Sequence, residues 1–183
     1  MPVAKEVSEC KWYVMRTNSA AANRIRDELE VQGYEYFQAQ RQVVKVVKGQ
    51  KKKVTEYFMK DFFFIHSTKE SLVEFQRFAP SRINFYFNIC EHKHNDCVVI
   101  PDKQMEDFIR VAQSYDANPT VITLEEANLR KGDRIRIVGG NLDGVEGRFV
   151  QLTRGQKRKL IVVLDGIMAI TAQVDAEMVE KIE

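Results

Sequence analysis

The chain is 183 residues long, enough for one medium domain or two small ones. Its 44% hydrophobic and 30% charged residues are those of an ordinary soluble folded protein, and no apolar run approaches the roughly 20 residues of a membrane span. A formal charge of +2 is too small to imply nucleic-acid binding by itself, so any such role must come from how the charge is distributed. Three cysteines, an odd number, and no signal-peptide pattern at the start fit a reducing cytoplasm better than a disulfide framework.

Residues 1–10 read as a tail. KWYVMRT (11–17) alternates as a strand, with Trp12, Val14 and Arg16 on one face and Tyr13 and Met15 on the other. Asn18 or Ser19 can cap a helix predicted over 20–32, whose Ala22, Ile25 and Leu29 fall at helical spacing and which Gly33 closes. Residues 34–40 are a strand candidate or an extended segment. A valine-rich strand over 42–47, a turn at Lys48-Gly49-Gln50-Lys51 and one return strand over 52–66 then make a hairpin. It carries Arg41, Lys45, Lys48, Lys51, Lys52, Lys53 and Lys60 against Glu56 and Asp61. Two readings stand: a cationic finger for nucleic acid or an acidic protein, and a solvated edge whose lysines block aggregation.

The return strand ends in YFMKDFFFI (57–65), dense enough for the centre of a sheet. Phe58, Phe62 and Phe64 share one face, and Tyr57, Met59, Phe63 and Ile65 the other. One face must meet helices, and the second is either covered as well or open to a partner. A helix follows over 69–78 with Leu72, Phe75 and Phe78 inward, stopped by Pro80. Strands over 83–89 and 97–100 flank a polar loop. Pro101-Asp102 opens a third helix over 103–114, with Met105, Phe108, Ile109 and Ala112 on one stripe. This order predicts an α+β sandwich on an antiparallel or mixed sheet. Residues 115–128 lose periodicity, contain Asn118-Pro119, and read as a linker with a turn at 124–127.

Residues 129–152, LRKGDRIRIVGGNLDGVEGRFVQL, hold Gly132, Gly139, Gly140, Gly144 and Gly147, five of the nine glycines. Ile135 and Ile137 alternate with Arg134 and Arg136, and Phe149 with Arg148, so tight turns join short strands. Strands over 159–164, 167–174 and 178–182, with a turn at Asp165-Gly166, complete a small barrel over 129–183. A barrel that small has no room for a catalytic cavity and works as a binding module. The run Lys131-Gly132-Asp133, a strand, Gly139-Gly140 and Asn141-Leu142-Asp143-Gly144-Val145-Glu146-Gly147 resembles the KOW motif of NusG-type transcription factors and several ribosomal proteins.

The first part, 11–114, resembles the N-terminal (NGN) domain of the NusG family. KWYVMRTNSAAANRIRDEL matches its opening strand and helix, the charged hairpin with YFMKDFFFIH stands at its L-F-P-G-Y-V-F-V strand, and CVVIPDKQMEDFIRV resembles its closing strand and helix. The resemblance implies an NGN-like α/β sandwich followed by an SH3-like KOW β-barrel. It also implies a cytoplasmic, monomeric transcription elongation or antitermination factor. Such a factor docks on the clamp helices of the RNA polymerase large subunit and suppresses pausing, and its KOW domain recruits Rho or a ribosomal protein. Polymerase contacts map to Arg16, Phe62 and Phe64. Lys60-Asp61 replaces the family's Pro-Gly, which favours a specialised RfaH-like or UpxY-like paralogue. Such members read the non-template DNA strand at the start of helix one, here Asn18, Asn23 and Arg24; a cap and a solvated helix face is the alternative. The hairpin's Lys48, Lys51, Lys52 and Lys53 join them as candidate nucleic-acid or polymerase contacts.

Other chemistry is poorly served. Cys90, His92, His94 and Cys97 are zinc-ligand types, but their crowded spacing is not a standard finger pattern, and no metal is expected. His66 reads as a cap on the sheet end. No nucleophile triad, phosphate loop or carboxylate pair stands out, so neither an enzyme nor a cofactor is expected. The alternative function is a KOW-containing RNA- or ribosome-binding protein, favoured by Arg154, Lys157, Arg158 and Lys159 in one loop and opposed by Asp165, Asp175, Glu177, Glu180 and Glu183.

Overall fold

The structure, a computed structural model, describes residues 9–85, 97–114, 119–123, 132–151, 158–164 and 167–182. Expectations for Cys90, His92, His94, Lys131, Arg154, Lys157 and the Asp165-Gly166 turn fall outside them, as do those for 86–89 and 124–127. The chain divides into two compact units, Met1–Gln38 with Met59–Asp102, and Ala39–Phe58 with Lys103–Glu183. In chain order the first elements are β1 (Lys11–Thr17), α1 (Ala22–Val31), β2 (Glu35–Phe37), β3 (Gln40–Val47), β4 (Gln50–Tyr57), β5 (Phe62–Ser67) and α2 (Lys69–Gln76). Then come β6 (Ile83–Phe85), β7 (Val99–Ile100), α3 (Asp102–Gln113), β8 (Thr120–Ile122), β9 (Asp133–Ile137), β10 (Glu146–Gln151), β11 (Arg158–Leu164), β12 (Met168–Gln173) and β13 (Val179–Lys181).

The sheet of the first unit runs β2-β5-β1-β6, with β7 also on β1, and every pairing is antiparallel. β1 takes the centre because its residues are apolar on both faces, and Trp12, Tyr13, Val14 and Met15 are all buried. On one face Tyr13 and Met15 pair with Ile65 and Phe63, and Ala22, Ile25 and Leu29 of α1 and Leu72 and Phe75 of α2 close over them. Phe78 lies beyond the end of α2 and packs half-buried on this cluster. Trp12, Val14, Phe64 and Ile100, on the opposite face, are buried too.

Local signals set the helix ends. α1 starts at Ala22, two residues later than expected, because Asn18 Oδ1 accepts the Ala21 N–H (2.8 Å) and holds a turn ahead of the helix. At its end Gly33 N–H donates to Glu30 O and Tyr34 N–H to Leu29 O, a Schellman closure around the expected glycine. Thr68 Oγ1 caps α2 through the Ser71 N–H.

The single return strand expected over 52–66 is two strands, β4 and β5. The break falls at Met59–Phe62, where Phe62 N–H donates to Met59 O in a turn, while Gln38 Nε2 donates to Lys60 O (3.0 Å) and Met59 O (3.4 Å). Burying the Gln38 amide at this point makes a bend more favourable than a straight strand, which would leave that amide without partners.

In the second unit β3 and β4 form a two-stranded sheet, joined at Lys48-Gly49 alone, since Val47 pairs with Gln50. A separate six-stranded antiparallel sheet runs β13-β9-β10-β11-β12-β8. Leu160, Val162 and Leu164 pair with Ala172, Ile170 and Met168 on one face, all buried. Ile135 and Ile137 are buried and Arg134 and Arg136 exposed, as the alternation predicts. β8 lies within the residues expected to be a linker: Ile122 pairs with Ala169 and covers a small outer cluster with Ile161 and Val163. The third helix buries Val111 rather than Ile109, so its inward stripe is rotated from the expected one.

Gly147 lies within β10, where a Cβ would stand 2.5 Å from Ile161 O and 2.7 Å from Leu160 Cδ1. Gly147→Ala is therefore expected to cost about 1–3 kcal/mol by overpacking. Thermal unfolding followed by far-UV circular dichroism checks it, and an unchanged midpoint would mean that β10 and β11 separate freely.

Candidate functional site

Arg16 on β1 and Phe62 on β5 are cross-strand partners. The guanidinium stands 5.4 Å from the Phe62 ring centroid, and its Nε donates to Asp61 Oδ2 at 3.1 Å. Thr17 N–H donates to Asp61 O at 2.8 Å, so the turn is stitched to the end of β1 by backbone and side chain together. The ion pair is solvent-exposed and worth about 0.2–1 kcal/mol, and the cation–π contact about as much. Arg16 is exposed and Phe62 half-buried. Phe64 is different. It is 0% exposed, opposite Val14 and with its ring 6.3 Å from that of Phe37, so it presents no surface to a partner.

The residues at the start of helix one have internal partners. Asn18 holds the turn described above. Asn23 Oδ1 accepts from Arg26 Nη1 at 3.0 Å. Arg26 in turn donates through Nε and Nη2 to Gln38 Oε1 (3.1 and 2.8 Å), the amide that grips Met59 and Lys60. A polar chain thus leads from α1 to the turn that carries Asp61. Arg24 lies over the Phe78 ring, 5.2 Å from its centroid. His66 stacks on Trp12, with centroids 5.1 Å apart, and its Nδ1 is 2.8 Å from Glu35 Oε2, beside the pairing of β1, β5 and β2. Lys48, Lys51, Lys52 and Lys53 are all exposed on the β3–β4 hairpin.

The glycine-rich segment of the second unit is built as a turn. Gly144 N–H donates to Ile137 O at 2.7 Å, and Asp143 Oδ1 accepts the Gly139 N–H at 2.6 Å. Asp133 is paired with Lys181 at 3.1 Å. Gly132, Gly140 and Gly147 complete the frame.

One side of α3 grips this turn, which sequence reasoning did not find. Lys103 Nζ donates to Gly144 O (3.0 Å) and Asp107 Oδ1 (2.6 Å), Asp107 Oδ2 accepts the Glu146 N–H (3.2 Å), and Arg110 Nη2 donates to Asn141 O (3.1 Å). Asp107 is buried, with its charge met by a cation and a backbone donor. Its available sequence signal was the i,i+4 spacing of Lys103 and Asp107, which reads equally as a surface pair. Across the sheet, Arg136 donates twice to Glu146 Oε1 (2.7 and 3.1 Å). These hydrogen bonds, ahead of the opposing effect of burial, hold the Glu146 carboxyl below the usual carboxylate range.

Cys97 is half-buried against the core of the first unit. Among the described residues no three His, Cys, Asp or Glu side chains are grouped to hold a metal, and no helix is long and apolar enough to cross a membrane.

A family model described as transcription termination factor nusG matches residues 10–109. Among solved structures, one described as "Domain interaction in Thermotoga maritima NusG" is similar at 19% identity and a TM-score of 0.47, over 96% of this chain and 98% of that one. No curated protein matches.

The Arg136–Glu146 pair makes acid a probe of the second sheet. A carboxyl lowered in the folded state contributes stability that is complete above its unfolded value and is lost as pH falls through the folded one. Between about pH 6 and about pH 3 the wild type should lose more thermal stability than Glu146→Gln, whose amide does not titrate in that range. Equal losses would show that the pair adds nothing in solution.

Proposed function

The chain belongs to the NusG family of transcription factors, and from that premise we propose an elongation or antitermination factor that binds RNA polymerase through its first unit. The role is one of binding, carried out in the cytoplasm. The observation that carries this reading is the Arg16–Phe62 pair, which presents an exposed guanidinium beside a half-buried ring where the family resemblance puts the polymerase contact. A partner covering Phe62 removes its remaining apolar surface from water. Arg16 can be turned toward a carboxylate of the polymerase clamp helices at little expense, since its bond to Asp61 is a weak surface pair.

Phe64, expected as a contact, is reassigned to support: wholly buried, it fixes the strand that presents Phe62. Lys60-Asp61 shapes the rim in place of Pro-Gly, and its stitching to Arg16 and Gln38 supports a specialised member of the family. Asn18, Asn23 and Arg24, at the start of helix one, are candidate contacts to the non-template strand, although each also serves the fold. The second unit's KOW-like sheet recruits a further protein, Rho or a ribosomal protein.

Binding of the full chain to core RNA polymerase tests the docking surface. Arg16→Ala and Phe62→Ala should each weaken binding roughly ten- to thirty-fold, about 1.4–2 kcal/mol, with folding intact. Val73→Ala, on the exposed side of α2, should leave it unchanged. Phe64→Ala should instead destabilise the unit by about 3–5 kcal/mol, visible in thermal unfolding without any partner. Tight binding retained by both surface variants would move the site elsewhere, and no binding by the wild type would remove the reading.

A further inference from the structure

We propose that β8 is a removable strap over a strand-addition site: the edge of β12 beneath it takes an extended segment of a partner protein. The proposal rests on the reading of the second unit as a recruiter of protein, and gives that recruitment a place and a chemistry.

The first observation is how little holds β8. It is three residues, Thr120–Ile122, on the connection from α3 to β9, and it forms one end of the six-stranded sheet. β11 pairs with β12 along its whole length, from Lys159 opposite Gln173 to Leu164 opposite Met168. On the other edge β8 pairs with Ala169, Ile170 and Thr171 alone. Pro119, which has no N–H to give to a ladder, directly precedes it. Thr120 is exposed, and Val121 and Ile122 are half-buried. A longer partner strand can also pair with Met168, Ala172 and Gln173, which β8 leaves out, so it can displace the strap.

The second observation is what lies beneath. Ile161 and Ala169 are 0% exposed, and Ile122 packs on them beside Val163. Val121 stands opposite the buried Ile170 and, by alternation, on the other face. Thr171 is buried too, and its Oγ1 donates to Thr120 O at 3.3 Å. Departure of the strap would bare backbone donors and acceptors together with an apolar cluster, a template for another chain. β8 shows what that chain must be, because it is the ligand in miniature. It is an antiparallel extended segment with two adjacent β-branched apolar residues, one for each face. Main-chain hydrogen bonds would hold the partner in register, and the two side chains would select it. Thr171 asks only for a backbone carbonyl, which any extended segment in this register supplies. A nucleic acid has no such ladder to give, and a helix keeps its backbone groups for itself.

The test uses the full chain and a fluorescein-labelled peptide, read by anisotropy. The peptide has the sequence of residues 118–125 with Thr in place of Pro119, so that its ladder can lengthen. Val121→Asp with Ile122→Asp cannot seat on Ile170, Ile161 and Ala169. That chain should bind the peptide about ten-fold or more tightly than the wild type, whose own strap competes. Ile122→Ser, a milder opening, should fall between. Hydrogen exchange should show Met168–Gln173 less protected in the opened chains and protected again with peptide, while Asp133–Ile137 is unchanged. A peptide with Asp in place of both Val121 and Ile122 should bind none of the chains. Equal peptide affinity in all three chains, no binding by opened chains whose β9 stays protected, or equal binding of the doubly substituted peptide would each overturn the proposal. So would self-association of the opened chains that excludes the peptide, which would give the edge to a second copy. Recruitment of Rho or a ribosomal protein by opened and wild-type chains alike, with no peptide bound, would sink the strap and leave recruitment standing. Peptide capture without recruitment of either protein would keep the strap and remove that choice of partner.

Discussion

A strand that is apolar on both faces has to be covered twice, and β1 imposes that requirement on the first unit. Tyr13 and Met15 demand one layer and Trp12 and Val14 another, while both edges of the strand are taken up in pairing. The helices α1 and α2 meet the first demand. Arg16 follows as the first residue of β1 after Lys11 to escape burial, and it escapes at the strand's end, where the turn at Asp61 comes back to meet it. The candidate docking surface is thus a by-product of where the central strand stops being core.

Much of this was legible because periodicity reports burial directly. The faces of β1, the inward stripe of α1, the closure at Gly33 and the alternation in β9 depend on residues close in sequence. What stayed hidden depends on residues far apart. The break between β4 and β5 rests on Gln38, about twenty positions upstream, whose amide looks like any other polar side chain until the fold buries it. β8 is three residues long, too short for a period, and exists because the edge of β12 offers it pairing. Asp107 reads as outward, and it is buried only because the turn around Gly144 comes to it. Phe64 shows the reverse error: it shares a strand with Phe62, and alternation cannot say which of two same-face aromatics remains open.

The two candidate surfaces illustrate different uses of charge. Around Arg16 a single cation is partly satisfied and close to apolar bulk, an arrangement suited to one geometry and one partner. On the hairpin Lys48, Lys51, Lys52 and Lys53 form no ion pair among the described residues and spread over both faces of an exposed ribbon, an arrangement that fixes no single partner geometry. The glycine-rich turn of the second unit is of a third kind. Gly144 N–H and Asp143 Oδ1 spend their hydrogen bonds within it, so their identity records how the backbone must bend.

The stacking of His66 on Trp12 has an experimental side. Trp12 is the chain's one tryptophan, and it is buried in the first unit's sheet. Its emission therefore follows the integrity of that sheet, while far-UV circular dichroism sees the strands of both units. In a protein of two units a single melting curve need not describe a single event. Here the two signals, taken together, assign each transition to its own half of the chain, without a label or an added reporter.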